Sequence, residues 1–576
     1  MVESICPKCN VPMQGDTCIK ESCKTKTIMS TTIYWCSKCN IPIFEQVCPC
    51  CGEAGKYIAT DVRPVFPEEK ILVAIILNKE DVHCFDKSSV WFGSGVYIID
   101  GQKSKLSIGE INKWTLDKLQ EIKKQYDKAV ETIDRTYFNL NIDRFITANE
   151  GRYNFINEES IRYIQSYREK YKIEDMMISF SGGKDSTVTS HLVTKALGTN
   201  KVLHVFGDTT LEFPSTMEYK KRFNKNAESF GIRMVTAKNR EKNFEELCKV
   251  IGPPSRVMRW CCTVFKTGAI QKTIASAFKD KTNVLTFYGI RRNESNSRSK
   301  YERESESPKI SKQTVVSPII DWIDFDVWLY ILTTGIDFND AYRLGYSRVG
   351  CWCCPNNGGW SEFLSKVHMS EKYKHWRETL LDFAKQIGKP DPEEYIDNGN
   401  WKARQGGNGL AMAQKSIVTF EPCATEENAF NYELQRPITE ELYELFKPFG
   451  YINRELGNKR LGEVYVMDRK GNVVLILQGR LGSTHLKVTI KKTNIAKART
   501  LAVAEGKIQC QLTKYQMCIG CKACESVCKH DAITIREEAG KLTYKINDDK
   551  CIRCTECVSH FDAGCYMRKV LTIKRG

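Results

Sequence analysis

Residues Met176–Gly198, with the sequence MMISFSGGKDSTVTSHLVTKALG, decide the fold of the middle of the chain. The apolar run 176–180 predicts a buried parallel strand, and the apolar spacing in 188–197 predicts a helix that ends at Gly198. Between them stands Ser181-Gly182-Gly183-Lys184-Asp185-Ser186. Two glycines allow a sharp turn close to a ligand, the helix N-terminus favours an anion, and Lys184 adds positive charge. The stretch therefore predicts a phosphate-binding loop, although its spacing differs from that of a Walker A loop.

The same six residues resemble the PP-loop of ATP pyrophosphatases, which has the pattern SGGxDS after the first strand. This resemblance implies that 181–186 bind an adenine nucleotide; the alternative is an ordinary glycine-rich turn. Further strand-like runs at 201–208, 232–238 and 283–290 alternate with helical patterns. Such alternation predicts an α/β domain with a doubly wound parallel sheet over residues 172–400, with ligands at the carboxyl ends of the strands.

Four more segments lie at or beyond these strand ends: 207–214, 256–262, 289–298 (G-x-R-x-x-E-S-x-x-R) and 318–322. Together with the loop they resemble the phosphoadenosine phosphosulfate (PAPS) reductase family. That family includes adenosine phosphosulfate (APS) reductases, a sulfate adenylyltransferase subunit and DNA phosphorothioation proteins. The resemblance implies an adenine nucleotide α-hydrolase-like core.

Charged residues in these segments are candidates for binding the substrate. Arg291 and Arg298 are expected to contact sulfate or phosphate oxygens, and Glu294 to orient one of them or a metal. Asp208 is expected to meet the nucleotide or Mg²⁺, and Lys266 to add charge beside the anion. For each residue the alternative is an ordinary surface ion pair.

Cys261-Cys262 and Cys351-Trp352-Cys353-Cys354 form a CC…C-x-x-C pattern. The assimilatory APS reductases carry their 4Fe–4S ligands in this pattern, so the resemblance implies a central cluster on Cys261, Cys262, Cys351 and Cys354. Cys353 is an additional cysteine that would replace a ligand or remain a free thiol. A zinc site is the alternative.

Residues 510–576 resemble a two-cluster bacterial ferredoxin. In such modules the fourth cysteine of each run binds the other cluster. One 4Fe–4S cluster is therefore expected on Cys518, Cys521, Cys524 and Cys565, and a second on Cys528, Cys551, Cys554 and Cys557. No proline follows Cys528 or Cys565, and the last gap is seven residues, so the pairing of the eighth ligand is the weakest part of this assignment.

Residues 1–56 contain an internal repeat, because CPKCNVPMQGDTC at Cys6 recurs as CSKCNIPIFEQVC at Cys36. Paired C-x-x-C groups predict two structural zinc ribbons, with rubredoxin-type iron as the alternative. The predicted ligands are Cys6, Cys9, Cys18 and Cys23 in the first ribbon, and Cys36, Cys39, Cys48 and Cys51 in the second, where Cys50 competes with Cys51.

The remaining segments carry weaker signals. Residues 57–108 are expected to form a small β domain with strands at Ile71–Leu77 and Val96–Ile99, and GSGVYIIDGQ faintly resembles a PUA-type RNA-binding barrel. Residues 109–171 are expected to form a helical connector. Residues 401–509 are expected to form a mixed, basic region with strands at 463–467, 473–478 and 487–490, where contact with nucleic acid competes with a solvated surface.

Composition restricts the class of protein. Twenty-six cysteines in 576 residues, clustered in C-x-x-C groups, favour metal sites over disulfides. No apolar run is long enough to span a bilayer and the N-terminus has no apolar signal core, so we expect a cytoplasmic protein without membrane contact. The net charge of +16 alone does not predict a nucleic-acid partner, because four-thiolate metal sites offset much of it.

Two functions follow from these patterns. The first is reduction of an adenylated sulfur oxyanion with electrons from the fused ferredoxin, with or without an external electron-donor protein. The second is ATP-dependent sulfur transfer to RNA or DNA, which the intact SGGKDS loop favours. The reductases attack with a thiolate in a Glu-Cys-Gly-Leu-His tail that the segment VLTIKRG lacks. Cys353 is then the best-placed thiol among the six unassigned cysteines, which are Cys50, Cys84, Cys248, Cys353, Cys423 and Cys510.

Overall fold

The computed structural model describes residues 31–104, 106, 108–229, 231–295, 298–307, 313–403, 418–538, 541–559 and 565–567, with the short strands Ser4–Ile5, Pro12–Met13, Ile28–Met29 and Lys574–Arg575. The cysteines of the first predicted ribbon, Cys6, Cys9, Cys18 and Cys23, lie outside the described residues. Within these ranges no helix combines the length and apolar character needed to cross a membrane.

The second ribbon is a three-stranded antiparallel sheet in which β1 (Ile33–Cys36) lies between β2 (Ile41–Ile43) and β3 (Lys56–Ala59). Its buried side chains share one apolar core with Phe145 and Phe325 from later helices. The ribbon is therefore stabilised by packing on the rest of the chain, in addition to any metal that it binds.

A four-stranded antiparallel sheet follows, formed by β4 (Arg63–Pro64), β5 (Val90–Gly93), β6 (Val96–Ile99) and β7 (Gln102–Ser104). The predicted strand at Val96–Ile99 is confirmed, but the one at Ile71–Leu77 is wrong, because Pro67–Ile76 forms helix α1. Pro67 opens the helix, Glu68 and Glu69 lie in its first turn, and all ten residues are buried. A helix that is buried all round shows no periodicity, which is why its apolar run resembles a strand.

Four helices connect this sheet to the central domain: α2 (Ile108–Asn112), α3 (Leu116–Val130), α4 (Thr136–Ala148) and α5 (Glu150–Gln165). The Thr115 side chain caps α3, whose buried residues Leu119, Ile122, Tyr126 and Ala129 pack on α1. Leu116, the first residue of α3, is 52% exposed.

The central domain is a six-stranded sheet in the order β10-β9-β8-β11-β13-β12. Its strands are β8 (Met176–Phe180), β9 (Leu203–Asp208), β10 (Met234–Lys238), β11 (Val284–Tyr288), β12 (Glu304–Glu306) and β13 (Gln313–Val316). All pairs are parallel except β12–β13. This confirms the doubly wound sheet. The strand order reverses at β8, between β9 and β11, which is where such folds bind ligands.

The helices of this domain are α6 (Lys184–Leu197), α7 (Pro214–Ser229), α8 (Phe244–Ile251), α9 (Gly268–Ala277), α10 (Asp324–Thr334), α11 (Gly359–His368), α12 (Ser370–Gln386) and α13 (Pro392–Asp397). A π-helical turn, Cys262–Thr267, leads directly into α9. Such turns are rare and frequently occur at functional sites.

The last part of the chain combines a seven-stranded sheet with a small helical module. The sheet has the order β16-β17-β18-β19-β15-β14-β22, and the predicted strands at 463–467, 473–478 and 487–490 are confirmed. The strands are β14 (Val418–Pro422), β15 (Ala429–Leu434), β16 (Tyr451–Asn453), β17 (Glu463–Met467), β18 (Val473–Gln478), β19 (His485–Ile490) and β22 (Lys574–Arg575). The helices and the remaining hairpin are α14 (Glu440–Glu444), α15 (Leu501–Met517), α16 (Ala523–Val527), β20 (Ile533–Glu538), β21 (Lys541–Ile546) and α17 (Glu556–Ser559).

These C-terminal elements do not form a separate body. One continuous apolar core joins Trp260 and Trp376 of the central domain to Leu477 of the seven-stranded sheet and to Ala523 in α16. The cysteine-rich module is therefore fixed against the central domain by burial of apolar surface.

Candidate nucleotide and iron–sulfur sites

The loop after β8 has the geometry expected of an anion-binding turn. Gly182 has φ +73°, which favours glycine, and Gly183 is the extended N-cap of α6. The Ser181 N–H donates to Ser186 Oγ at 3.2 Å, and the two serine hydroxyls lie 3.1 Å apart. These bonds fix the turn at the positive end of the α6 dipole.

A network of four charged side chains holds this loop in place. Lys184 Nζ lies 3.2 Å from carboxylate oxygens of both Asp185 and Asp324. Arg291 contacts the same two carboxylates, with Nε 2.6 Å from Asp185 and Nη2 2.7 Å from Asp324. Burial alone would raise the pKa of Asp324, but Lys184 and Arg291 together hold it far below its ordinary value. Both cations and both carboxylates of the network are therefore charged.

Arg291, which the sequence predicts to contact a substrate anion, is buried within this network. It is 4% exposed and engaged by two carboxylates, so its guanidinium is not open to a substrate anion in this structure. Its geometry is that of a residue that positions Asp185 and the start of α10. Arg298 pairs with Glu294, whose other oxygen accepts the Arg291 N–H at 3.2 Å.

The N-terminal part of the chain reaches this network through Asp61. Its carboxylate accepts the N–H groups of Asp324 and Phe325, both at 2.9 Å, at the N-terminus of α10. Burial, followed by the neighbouring charge of Asp324, raises the pKa of Asp61 to about 7. Asp61 thus couples the segment after the ribbon to the nucleotide loop.

Four residues of the site were missed from the sequence: Asp61, Asp324, Asn339 and Tyr342. The Tyr342 hydroxyl accepts the Lys184 N–H at 3.0 Å, and Asn339 Nδ2 donates to the Gly182 carbonyl at 3.1 Å. Only Asp324 carried a local signal, because it opens a helix soon after β13. The others come from segments without a recognisable motif.

Gly289, at the end of β11, permits the closest contact in the site. A Cβ at this position would lie 2.6 Å from the carbonyl carbon and oxygen of Asp185 and 2.8 Å from the Ser186 nitrogen. The strand end therefore touches the first turn of α6 with no room for a side chain.

Asp208 and Lys266 lie at the end of β9. Asp208 is buried, accepts the Thr210 N–H at 2.8 Å and pairs with Lys238 at 3.3 Å. Lys266 is exposed. Its positive charge partly offsets the rise in pKa that burial causes at Glu212 and at the Cys351 thiol. Of the predicted substrate cations, Lys266 is the most exposed.

The mid-chain cysteines lie beside this strand end. Cys351 Sγ lies 3.4 Å from Thr209 Oγ1, and the Cys351 backbone pairs with that of Glu212. The pKa of Cys261 is raised by a side-chain hydrogen bond with Cys262, then by burial and by the nearby thiols of Cys351 and Cys353. Cys354 follows in a tight turn, with its N–H bonded to the Cys351 carbonyl. The four predicted ligands thus lie in one cysteine-rich neighbourhood, which fits a soft, thiolate-bound iron cluster.

Cys353 does not have the environment expected of a nucleophile. It is buried, and burial, followed by the neighbouring thiols Cys351, Cys248 and Cys354, raises its pKa well above the ordinary value.

The C-terminal cysteines are arranged as the ferredoxin pattern predicts. One cavity is lined by Cys528, Cys551, Cys554 and Cys557, the four ligands expected for the second cluster. On the other side, burial and then the thiols Cys565, Cys524 and Cys518 raise the pKa of Cys521. Each group contains the cysteine from the opposite run, so the donor sets suit two 4Fe–4S clusters.

The second ribbon brings four thiols together. The sulfur atoms of Cys36, Cys39, Cys48 and Cys51 all lie within 4.8 Å of one another, whereas Cys50 is exposed and outside this group. Such close spacing fits a single tetrahedral ion such as zinc.

Fold and site together define a nucleotide-binding PP-loop domain joined to an iron–sulfur module. In agreement, residues 175–357 match the model of the phosphoadenosine phosphosulfate reductase domain, and residues 517–560 match that of the 4Fe-4S dicluster domain. The chain therefore contains a PAPS reductase domain and a 4Fe–4S dicluster domain.

Individual relatives agree with this assignment. Two uncharacterized proteins of Methanocaldococcus jannaschii are 30% identical over 332 residues and 32% identical over 266 residues. These matches cover 57% and 46% of this chain but only 65% and 61% of the relatives, so the chain spans less than two thirds of either. An adenosine 5'-phosphosulfate reductase of Bacillus mycoides is 27% identical over 191 residues, which is 33% of this chain and 76% of that enzyme.

Among solved structures, a phosphoadenylyl-sulfate reductase of Candida auris matches with 16% identity and a TM-score of 0.26. The match covers 34% of this chain and 95% of that one.

Replacement of Gly289 tests the contact between β11 and the loop. We expect Gly289→Ala to weaken binding of ATP or APS about tenfold or more, because a shift near 1 Å at a positioned group has effects of this order or larger. Isothermal titration measures the affinity. Gly350→Ala is the control, since a Cβ there meets nothing within 4 Å. Equal affinities in both variants would contradict the assignment.

The ribbon gives a second prediction. We expect Cys48→Ser to lose the ribbon's metal ion and Cys50→Ser to keep it, because only Cys48 belongs to the four-sulfur group. Elemental analysis measures the loss and also distinguishes zinc from iron. Loss of the ion from Cys50→Ser would show that Cys50 is the ligand.

Proposed function

We propose that this protein is an iron–sulfur enzyme that binds an adenine nucleotide and reduces an adenylated sulfur oxyanion such as APS or PAPS. Electrons would come from its C-terminal 4Fe–4S module. The observation that carries the proposal is the position of the mid-chain cysteines. The mid-chain cysteines lie at the sheet edge that ends in the nucleotide loop, and Thr263, next to Cys262, contacts the cysteine-rich module through Tyr566.

The residues around the sheet edge support a bound nucleotide. The loop 181–186 presents a helix N-terminus to the phosphate, and Lys266 offers an exposed cation near Cys351. The buried cations Lys184 and Arg291, each paired with Asp185, hold the loop in place and add positive charge beside it. Asp208 remains the candidate ligand for Mg²⁺, and Arg298 and Glu294 flank the same edge.

The chemistry balances with two electrons. Reduction of the sulfate group breaks the bond between its sulfur and the oxygen shared with the nucleotide phosphate. It yields sulfite with AMP from APS, or sulfite with adenosine 3′,5′-bisphosphate from PAPS. A 4Fe–4S cluster, when bound, supplies electrons one at a time, so two such steps complete the reaction. The module's thiolates Cys518, Cys521, Cys524 and Cys565, with Cys528, Cys551, Cys554 and Cys557, would hold these clusters. An external donor protein would recharge them, and the cysteine-rich composition favours a reducing, cytoplasmic compartment.

The second candidate is an ATP pyrophosphatase that adenylates RNA or DNA and transfers sulfur to it. The complete Ser181–Ser186 loop favours this function, because its serines and helix N-terminus would stabilise departing pyrophosphate. The ribbon and the basic residues near 487–499 would suit a nucleic-acid acceptor. Reduction is preferred, because a fixed electron-transfer module requires an oxidant in the same protein.

An anaerobic assay separates the two functions. We expect release of sulfite and AMP from APS, or of sulfite and adenosine 3′,5′-bisphosphate from PAPS, when the enzyme is chemically reduced. Pyrophosphate release from ATP that depends on added RNA or DNA, without sulfite formation, would support sulfur transfer instead. The decisive measurements are sulfite and pyrophosphate quantified in parallel from one preparation.

The mid-chain ligand set has its own test. We expect Cys262→Ser to lose about four irons while the spectrum of the dicluster module is retained. Cys353→Ser is expected to keep all its iron, because Cys353 is not one of the assigned ligands. Iron analysis with Mössbauer spectroscopy measures both. Loss of iron from Cys353→Ser, or of zinc from Cys262→Ser, would refute the assignment.

A further inference from the structure

The cysteine-rich module packs directly on the turn that follows Cys261 and Cys262. Gln271 Nε2, in α9, donates to the Cys528 carbonyl at 3.0 Å, and this bond is buried. At the edge of the interface Lys272 pairs with Glu525 at 2.9 Å, Lys242 pairs with Glu537 at 3.4 Å, and Lys522 pairs with Glu241. A buried bond surrounded by ion pairs is the pattern of a stable interface rather than a transient encounter.

The closest approach in this interface occurs at Gly268, the first residue of α9. A Cβ there would lie 2.0 Å from Ser526 Oγ and 2.8 Å from Ser526 Cβ, and 3.0 Å from the Thr263 carbonyl oxygen. Gly268 has an ordinary helical backbone, with φ −66°. A glycine is therefore needed at this position because of the close contact with Ser526, and not because of its backbone conformation.

A second contact lies beside the cysteines themselves. The Tyr566 hydroxyl is 2.9 Å from Thr263 Oγ1, and Thr263 is the residue after Cys262. Tyr566 directly follows Cys565, a predicted ligand of the first C-terminal cluster, so this contact links the two cysteine sites.

We infer that this interface is a permanent electron-transfer junction, in which Gly268 and Ser526 set the separation and Thr263 and Tyr566 bridge the two cysteine sites. The inference rests on the proposed function and deepens it. In the transfer one electron leaves the reduced cluster held by Cys518, Cys521, Cys524 and Cys565, which is oxidised. The group held by the mid-chain cysteines gains that electron, and no bond is made or broken. Gly268 and Ser526 act as positioning residues.

The test is a size exchange across the contact in the holoenzyme. Gly268→Ala adds a methyl group where none fits. Ser526→Gly removes the Ser526 Oγ and Cβ atoms that this methyl group would meet. Gly506→Ala, in the middle of α15, is the control, because a Cβ there meets nothing within 4 Å. Each variant is mixed anaerobically with dithionite and freeze-quenched, and electron paramagnetic resonance follows which clusters are reduced over time.

We expect Gly268→Ala to keep its iron and to reduce its C-terminal clusters normally, while onward reduction of the mid-chain site slows several-fold. The double variant Gly268→Ala/Ser526→Gly should regain the wild-type rate, and Gly506→Ala should never lose it. Amide hydrogen exchange in 262–268 should rise in Gly268→Ala and return to normal in the double variant. An unchanged rate in Gly268→Ala, no recovery in the double variant, or a wild-type mid-chain site that accepts no electron would overturn the junction.

Failure of the proposed function is distinguishable from failure of the junction. If wild-type enzyme transfers electrons to the mid-chain site but releases no sulfite from APS, the substrate assignment fails and the junction stands. If sulfite is released while Gly268→Ala transfers electrons at the wild-type rate, the junction fails and the substrate assignment stands.

Discussion

The buried charge network of Lys184, Arg291, Asp185 and Asp324 is the interaction on which the rest of the central domain depends. It joins the start of α6, the end of β11 and the start of α10 at one edge of the sheet. Removing one member would leave an uncompensated charge in a buried position, which typically costs about 3–5 kcal/mol. The loop is thus held in one conformation by buried ion pairs.

The iron–sulfur module is integrated in the same way, by burial and not by a linker. Its apolar residues belong to a core that runs into the central domain, and its helix α16 fits against a glycine at the start of α9. A rigid arrangement suits electron transfer because it fixes the distance between donor and acceptor without a diffusional encounter. The mid-chain cysteines and the two C-terminal cysteine groups are consequently parts of one structural unit.

Sequence patterns predicted the features that depend on local spacing. The strand–loop–helix at 176–198, the parallel sheet and the strands of the seven-stranded sheet all follow from neighbours in the chain. The prediction failed at Ile71–Leu77, where a fully buried helix has no polar face to reveal its period. For Arg291, an ordered motif indicates a charge but does not indicate which carboxylates will pair with it. Asp61, Asn339 and Tyr342 reach the loop from distant segments, and no single sequence specifies such long-range contacts.

Asp61 has a consequence for any attempt to excise the catalytic core. A fragment cut to the limits of the PAPS reductase domain, residues 175–357, would leave out the carboxylate that accepts two backbone N–H groups at the start of α10. That fragment would lose both hydrogen bonds that Asp61 accepts at the start of α10. The boundaries of the family match therefore exclude a residue that helps to position Asp324 beside the nucleotide loop.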